Sequence, residues 1–381
     1  MRKLKFVFIL SFISILAFAQ TGNSFKNTAI TINENAGKID TTGTEFGVYS
    51  NFTFIPGNKL LFYDDFATGA LGDFPVNWET GGSGEVVQPV GTTEKWLSLQ
   101  RRSGYLPVMD KELPENYTIE FDMLTNGYGK GKPISKVFFA FLPKKAYSMG
   151  RAGSVADLQI LLTSYLSVAN VENFGSEASI KIANRIDRHL PDAINTKVHF
   201  SIAVNKKRLR IWLNEEKYVD APTILQGKLG RYFIIEALDV NPEKGQFAAI
   251  TNFRIAEATE DDRTSLLQNG KFSTTGIYFN TNSSVIKRES YAVLANIAAL
   301  LKNDPALKLN IIGHTDSDGD NDFNLDLSKR RAMSVKNSLT ADFGIDDNQL
   351  SFEGKGETEP AEDNSTPKGK ANNRRVEFIK M

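Results

Sequence analysis

Residues 313–322 read GHTDSDGDND, which sets aspartates at 316, 318, 320 and 322 directly after His314, one of three histidines in the chain. Alternating carboxylates beside an imidazole could serve a calcium loop, a zinc centre, a hydrolytic site or a pocket for a charged ligand. An EF-hand loop begun at Asp316 needs glycine at its sixth position and a bidentate glutamate at its twelfth, where this chain has Asn321 and Leu327. Zinc wants about three protein ligands, usually with histidine or cysteine among them, but His189 and His199 lie far upstream and cysteine is absent. A serine nucleophile would sit on a G-x-S-x-G elbow, and the chain has none. What remains is Asp316 with Arg331, fifteen residues later. A carboxylate and a fork-shaped guanidinium facing one pocket would read a zwitterion, the first taking an ammonium and the second clamping a carboxylate. The same spacing equally suits an ion pair between the two. Asp318, Asp320 and Asp322 read as solvated loop charge, and His314 as support for the pocket.

A second pair of carboxylates, Glu120 and Asp122, brackets Phe121. Retaining hydrolases built on β-sandwiches carry such a pair with a second glutamate two or three residues on, the nucleophile and acid lying about 5–5.5 Å apart. Here Met123, Leu124 and Thr125 follow. Alternation along a strand turns Tyr117, Ile119, Phe121 and Met123 inward and leaves Glu120 and Asp122 toward solvent. The basic run Lys206-Lys207-Arg208-Leu209-Arg210 is read as solvated turn charge. Asp64, Asp65 and Asp73 lie near Trp78, where a structural calcium is conceivable, but no spacing requires one.

These groups need elements to hold them, and 381 residues call for more than one core. Lysine plus arginine balance aspartate plus glutamate at 45 each, so no global field points to nucleic acid. Met1-Arg2-Lys3-Leu4-Lys5 is a basic start before an apolar run from Phe6 to Phe18, and Ala17-Phe18-Ala19 offers small residues to a signal peptidase. The run falls short of the ~20 residues that span a bilayer, so a signal peptide over 1–19 is expected, cleaved after Ala19. Loss of Arg2, Lys3 and Lys5 takes the net charge from 0 to −3. Absence of cysteine excludes a disulfide framework and a lipidated N-terminal cysteine.

Residues 20–58 are polar and read as an extended N-terminal segment. Over 59–257 short strands alternate with Gly, Pro and Asn turns. The expected strands are Leu60–Tyr63, Trp96–Gln100, Tyr117–Met123, Val137–Leu142, Leu158–Tyr165, Ile180–Ala183, Val198–Val204, Leu209–Leu213, Tyr232–Ala237 and Ala248–Ile255. That pattern predicts an all-β antiparallel sandwich or jelly roll. Within it, KVHFSIAVNKKRLRIWLNEEKYVDAP (197–222) reads as a hairpin about Asn205-Lys206-Lys207 and resembles the hairpin of concanavalin- and laminin-G-like sandwiches. A polar linker over 258–275 holds a short helix stopping at Gly270. The period then changes: a strand at Gly276–Phe279, a helix over Ser284–Asn303 ended by Pro305, a buried-type strand at Leu307–Gly313, a helix from Leu325 to about Phe343, and strands at Leu350–Glu353 and Val376–Ile379. This order predicts a small βαβαβ-type α/β sandwich over 276–381, with Asp316 past the C-terminal end of a buried strand, where open sheets place ligands.

Residues 276–381 resemble the OmpA-like peptidoglycan-binding domain. The motifs IYFNTNSSVIK, IIGHTDSDG, NLDLSKRRAMSVKNSL and GKGETEPAEDNSTPKGKANNRRVEF appear in that family's order. The resemblance implies non-covalent binding of the diaminopimelate residue of the peptidoglycan stem, with Asp316 taking its ammonium and Arg331 its carboxylate. Asn324 and Arg374 match supporting positions, and Thr315 adjoins Asp316. One departure is Asn280, where the family's early motif carries aspartate; an asparagine there still accepts a hydrogen bond. The sandwich lacks the regular ~10-residue strands of a membrane barrel.

The expected protein is thus an exported, non-enzymatic envelope component of a Gram-negative bacterium, with no cofactor and no metal. Its C-terminal domain binds peptidoglycan, and its sandwich binds glycan or an outer-membrane protein. The alternative is a polysaccharide hydrolase with its active site in the sandwich.

Overall fold

The computed structural model describes residues 52–151, 155–174, 180–225, 229–258, 266 and 269–381. The expected signal peptide and most of the extended N-terminal segment lie outside the described residues.

Among the described residues, fifteen strands precede residue 258. In chain order they are β1 (Lys59–Asp64), β2 (Trp78–Thr80), β3 (Gly84–Val87), β4 (Trp96–Leu99) and β5 (Ser103–Pro107). Next come β6 (Asn116–Asn126), β7 (Ser135–Leu142), β8 (Val155–Leu162), β9 (Leu166–Phe174) and β10 (Ile180–Leu190). The last five are β11 (Lys197–Asn205), β12 (Arg208–Leu213), β13 (Glu216–Ala221), β14 (Tyr232–Ala237) and β15 (Phe247–Glu257). They form two antiparallel sheets. One runs β13-β12-β11-β6-β15-β4-β3, with β1 also on β15; the other runs β10-β9-β8-β7-β14-β5-β2. Each of the ten expected strands overlaps an observed one. The hairpin about Lys206 is also present, that residue adopting φ 54° between β11 and β12.

The core between the sheets is aromatic. Phe121, Phe200 and Phe253 from the first sheet meet Phe139 and Phe233 from the second, with neighbouring ring centroids 5.0–6.3 Å apart. Pairs at that spacing add to the burial of their large apolar area. The period-2 pattern of β6 sends Tyr117, Ile119, Phe121 and Met123 into this core, all but fully buried.

The C-terminal part holds β16 (Lys271–Thr274), α1 (Tyr291–Asn303), β17 (Leu309–His314), α2 (Asn321–Ala341), β18 (Leu350–Gly356), α3 (Pro367–Asn373) and β19 (Val376–Lys380). Its sheet runs β16-β19-β17-β18, with only β17 and β18 parallel. The first strand is not the expected Gly276–Phe279. It lies at 271–274, inside the segment read as linker, just after Gly270, which has φ 67° and whose N–H donates to the Leu266 carbonyl. Phe279 makes only an isolated bridge to Ile286. Lys271–Thr274 is polar in composition because one of its faces stays wet, and only Phe272 and Thr274 are buried.

This α/β layer rests on the outer face of the eight-stranded sheet. Ala371 of α3 packs against Leu60 and Ala256, and the Tyr278 hydroxyl reaches Glu120. Glu120 and Asp122 were expected in solvent, and they are buried, 1% and 8% exposed. Alternation assigns them to the outer face correctly; there Tyr278 of the C-terminal part bonds to Glu120, while Asp122 is met by His199 and Asn252 from neighbouring strands of its own sheet.

Candidate ligand-binding site

Asp316 sits two residues beyond β17, and the chain must turn at once into α2. Asp320 makes that turn possible. Its side chain accepts from the backbone N–H groups of Asp322 and Phe323, capping the helix four residues earlier than expected. Asp318 accepts from Lys370 Nζ at 2.6 Å. Asp320 is therefore a helix cap and Asp318 an ion-pair partner, while Asp322 lies exposed in the first turn of α2. The side-chain amide of Asn324, buried in the first turn of α2, donates to the carbonyls of Asp316 and Asp318 and to Glu357 Oε2, at 3.3, 3.1 and 2.6 Å. Behind the loop, α2 lies flush on β17. A Cβ at Gly313 would meet the Ser328 carbonyl oxygen at 2.2 Å, so only glycine lets the helix approach this closely.

Three charged groups converge in front of that frame. Asp316 is 8% exposed, and its Oδ2 accepts from Arg374 Nη1 at 2.5 Å. Arg331, about three turns into α2, donates from Nε to the Ser283 carbonyl at 3.0 Å and lies 5.0 Å from the Phe279 ring centroid. Among the described residues no carboxylate stands within salt-bridge distance of Arg331, so Asp316 and Arg331 are not each other's ion-pair partners. Burial and the nearby Arg374 push the Arg331 guanidinium down to about 10, against a smaller upward pull from Asp316. Two guanidiniums thus flank Asp316, and of the two only Arg374 is paired with it. Thr315 adjoins them, buried, with no hydrogen-bond partner for its hydroxyl.

The sandwich supplies the opposite wall. The Tyr63 ring lies 5.4 Å from the Arg374 guanidinium carbon, the face-on contact in which a ring stabilises a cation. Burial alone would lower the Arg374 pKa, but Tyr63, Asp316 and Asp65 outweigh it and hold the group above its ordinary value. Below this, the Tyr278 hydroxyl donates to Glu120 at 2.9 Å and accepts from Arg254 Nη1 at 2.5 Å. Arg254 also donates to the Thr275 hydroxyl at 2.8 Å and stands 3.6 Å from Glu120.

His199 lies between both carboxylates, Nδ1 at 2.8 Å from Asp122 and Nε2 at 3.7 Å from Glu120. Burial alone would lower its pKa, but the hydrogen bonds and charges of Asp122 and Glu120 win and raise it to about 9. A raised folded pKa gives stability that is fully present below the unfolded value of about 6.5 and is lost as pH climbs through about 9. Urea midpoints should therefore fall between pH 6.5 and 9.5, by on the order of 3 kcal/mol in unfolding free energy, and His199→Gln should flatten that slope. An unchanged slope in the variant would contradict the assignment.

Of the residues singled out from sequence, Asp316, Arg331, Arg374, Thr315 and Asn324 line one cleft. Asn280 does not: it is exposed at the turn where its carbonyl accepts from Ser283 N–H. Asp64, considered for calcium, instead accepts from Phe66 N–H and the Trp78 indole. Sequence reading missed Tyr63, Arg254 and Tyr278, whose roles arise only when the two layers meet. The one trace of them in the sequence is a buried-type strand carrying an arginine, Arg254.

The OmpA family profile matches residues 278–374. Outer membrane porin F of Pseudomonas aeruginosa is 39% identical over 101 residues, covering 26% of this chain and 29% of that protein. Probable lipoprotein YiaD of Escherichia coli is 40% identical over 102 residues, 27% of this chain and 46% of its own length. Peptidoglycan-binding protein ArfA of Mycobacterium bovis is 34% identical over 115 residues, 30% of this chain and 35% of its own. The chain thus spans less than half the length of each of these relatives. With Asp316, Arg331 and Arg374 inside the matched residues, the C-terminal part of this chain is an OmpA family domain, preceded by an antiparallel β-sandwich.

Proposed function

We propose that the protein binds peptidoglycan non-covalently, through the diaminopimelate residue of the stem peptide. The observation that carries this reading is Arg331, whose guanidinium lacks a carboxylate partner in the cleft it shares with Asp316. A half-buried fork with no anion is poised for an external carboxylate. Asp316 has one oxygen on Arg374 and one receiving the Asp318 N–H at 3.2 Å. A carboxylate has about four lone-pair sites, so it retains capacity for an ammonium. The relative named for peptidoglycan binding, aligned over the same stretch, supports the ligand class.

The role is that of a tether rather than a catalyst. A hydrolase centred on Glu120 would need that carboxylate open to a glycan, whereas Tyr278 and Arg254 cover it. The outer-membrane names of the relatives support residence in the envelope of a Gram-negative cell. The faces of the sandwich away from the C-terminal domain are left for a glycan or an outer-membrane partner. Incubated with diaminopimelate-type sacculi and centrifuged, the full chain should pellet with them. Protein that stays in the supernatant would overturn the proposal.

A further inference from the structure

The cleft is larger than the clamp. Its volume is about 630 Å³, and besides Asp316, Arg331 and Arg374 it is lined from the sandwich by Tyr63, Asp65, Asp122, Lys197 and Asn252. We infer that the sandwich forms a second subsite of the same site. It takes the amide- and carboxylate-bearing chain of the stem peptide that adjoins the zwitterionic head. The inference rests on the clamp reading above.

Size is the first argument. Clefts of roughly 300–1,000 Å³ enclose ligands of drug size, so a single amino-acid head fills only part of this one. Rigidity is the second. The sandwich wall is pinned to the C-terminal domain by the buried Glu120–Tyr278–Arg254 network and by Ala371 against Leu60 and Ala256. A fixed wall spares the ligand the cost of ordering it. Continuity is the third, because Tyr63 of the sandwich lies against Arg374, which in turn holds Asp316.

The wall also carries suitable groups. In the pairing of β15 with β6 the register shifts between Thr251 and Arg254, and Asn252 adopts φ 52° there. Such a bulge re-aims a side chain, and asparagine tolerates the left-handed region better than most residues. The Asn252 amide donates to Asp122 Oδ2 at 2.9 Å, and the residue lines the cleft beside it. Lys197 is 47% exposed, and among the described residues its ion pairs are long, 3.7 Å to Glu94 and 3.8 Å to Asp122. Neither carboxylate is at hydrogen-bond distance, so the ammonium keeps donors to offer a ligand carboxylate. An amide and a cation on one fixed surface suit a chain of peptide groups with a free carboxylate.

The test titrates the full chain by calorimetry with two probes: meso-diaminopimelate, and the stem tripeptide that ends in it. The wild-type protein should bind the tripeptide about tenfold more tightly or better, the worth of one charge-assisted hydrogen bond. Lys197→Gln and Asn252→Gly (glycine keeping the positive φ) should erase that gain and leave diaminopimelate affinity within twofold, which also reports that the clamp is folded. A tripeptide that binds no better than diaminopimelate, or variants that keep the gain, would overturn the second subsite alone. A parallel loss for both probes would also overturn it, since the wall would then only prop the clamp. Failure of the wild type to bind either probe would overturn the clamp and this inference with it.

Discussion

Glu120→Ala should destabilise the protein by about 3–5 kcal/mol, the cost of removing one partner from a buried ion pair. Arg254 is 8% exposed, its Nε already lacks a hydrogen-bond partner, and Glu120 is its nearest carboxylate at 3.6 Å. The alanine variant would strand that cation and also take the acceptor from the Tyr278 hydroxyl. Because the three groups join the sandwich to the C-terminal domain, the loss should appear in unfolding and also as faster proteolysis between residues 258 and 278. Glu120→Gln keeps an acceptor for Tyr278 and should lose less. Urea unfolding of the three proteins decides the matter, and a loss below about 1 kcal/mol for alanine, within the range of an exposed pair, would contradict a buried ionic joint.

Arg331→Ala and Asp316→Ala should each reduce retention on sacculi by about a hundredfold or more, since a bidentate charge-assisted contact contributes about 1.5–3 kcal/mol per hydrogen bond. The two differ in their effect on the protein itself. Arg331→Ala removes a guanidinium that makes no ion pair among the described residues, so stability should change little beyond the lost packing on Phe279 and the bond to the Ser283 carbonyl. Asp316→Ala leaves Arg374 and Arg331 facing each other with no anion between them, so stability should fall with binding. Arg331→Lys supplies the charge without the planar fork and should recover only part of the affinity. Equal binding by Arg331→Ala and wild type would remove the guanidinium from the site.

Much of this was legible before any coordinates. Strand alternation in Tyr117–Met123 gave the core face, and the spacing of apolar residues gave α2 to within about four positions and the end of α1, whose first residue is Tyr291 rather than the expected Ser284. Asp316 and Arg331 stood out by chemistry, and their assignment to one cleft followed from the family motifs. Three things were not legible, each for a physical reason. The alternation of β6 tells which face Glu120 and Asp122 occupy but not what covers that face, because the cover comes from sequence-distant strands (His199, Asn252, Arg254) and from Tyr278 of the C-terminal layer. The cap function of Asp320 depends on where α2 begins, and helix boundaries are the least determined feature of a periodic pattern. Tyr63 reads as an ordinary aromatic in a half-buried strand; its contact with Arg374 exists only through the docking of α3 on β1. Strand β16 escaped because an edge strand with one wet face carries little apolar signal.

The clamp is tested most directly by dissecting its ligand rather than the protein. Full-length protein bound to sacculi should be released by soluble meso-diaminopimelate, which carries both an ammonium for Asp316 and a carboxylate for Arg331. Pimelate, which lacks the amines, and cadaverine, which lacks the carboxylates, should fail to release it at the same concentration. Release by pimelate as effective as by diaminopimelate would contradict a role for Asp316, and release by cadaverine would contradict one for Arg331.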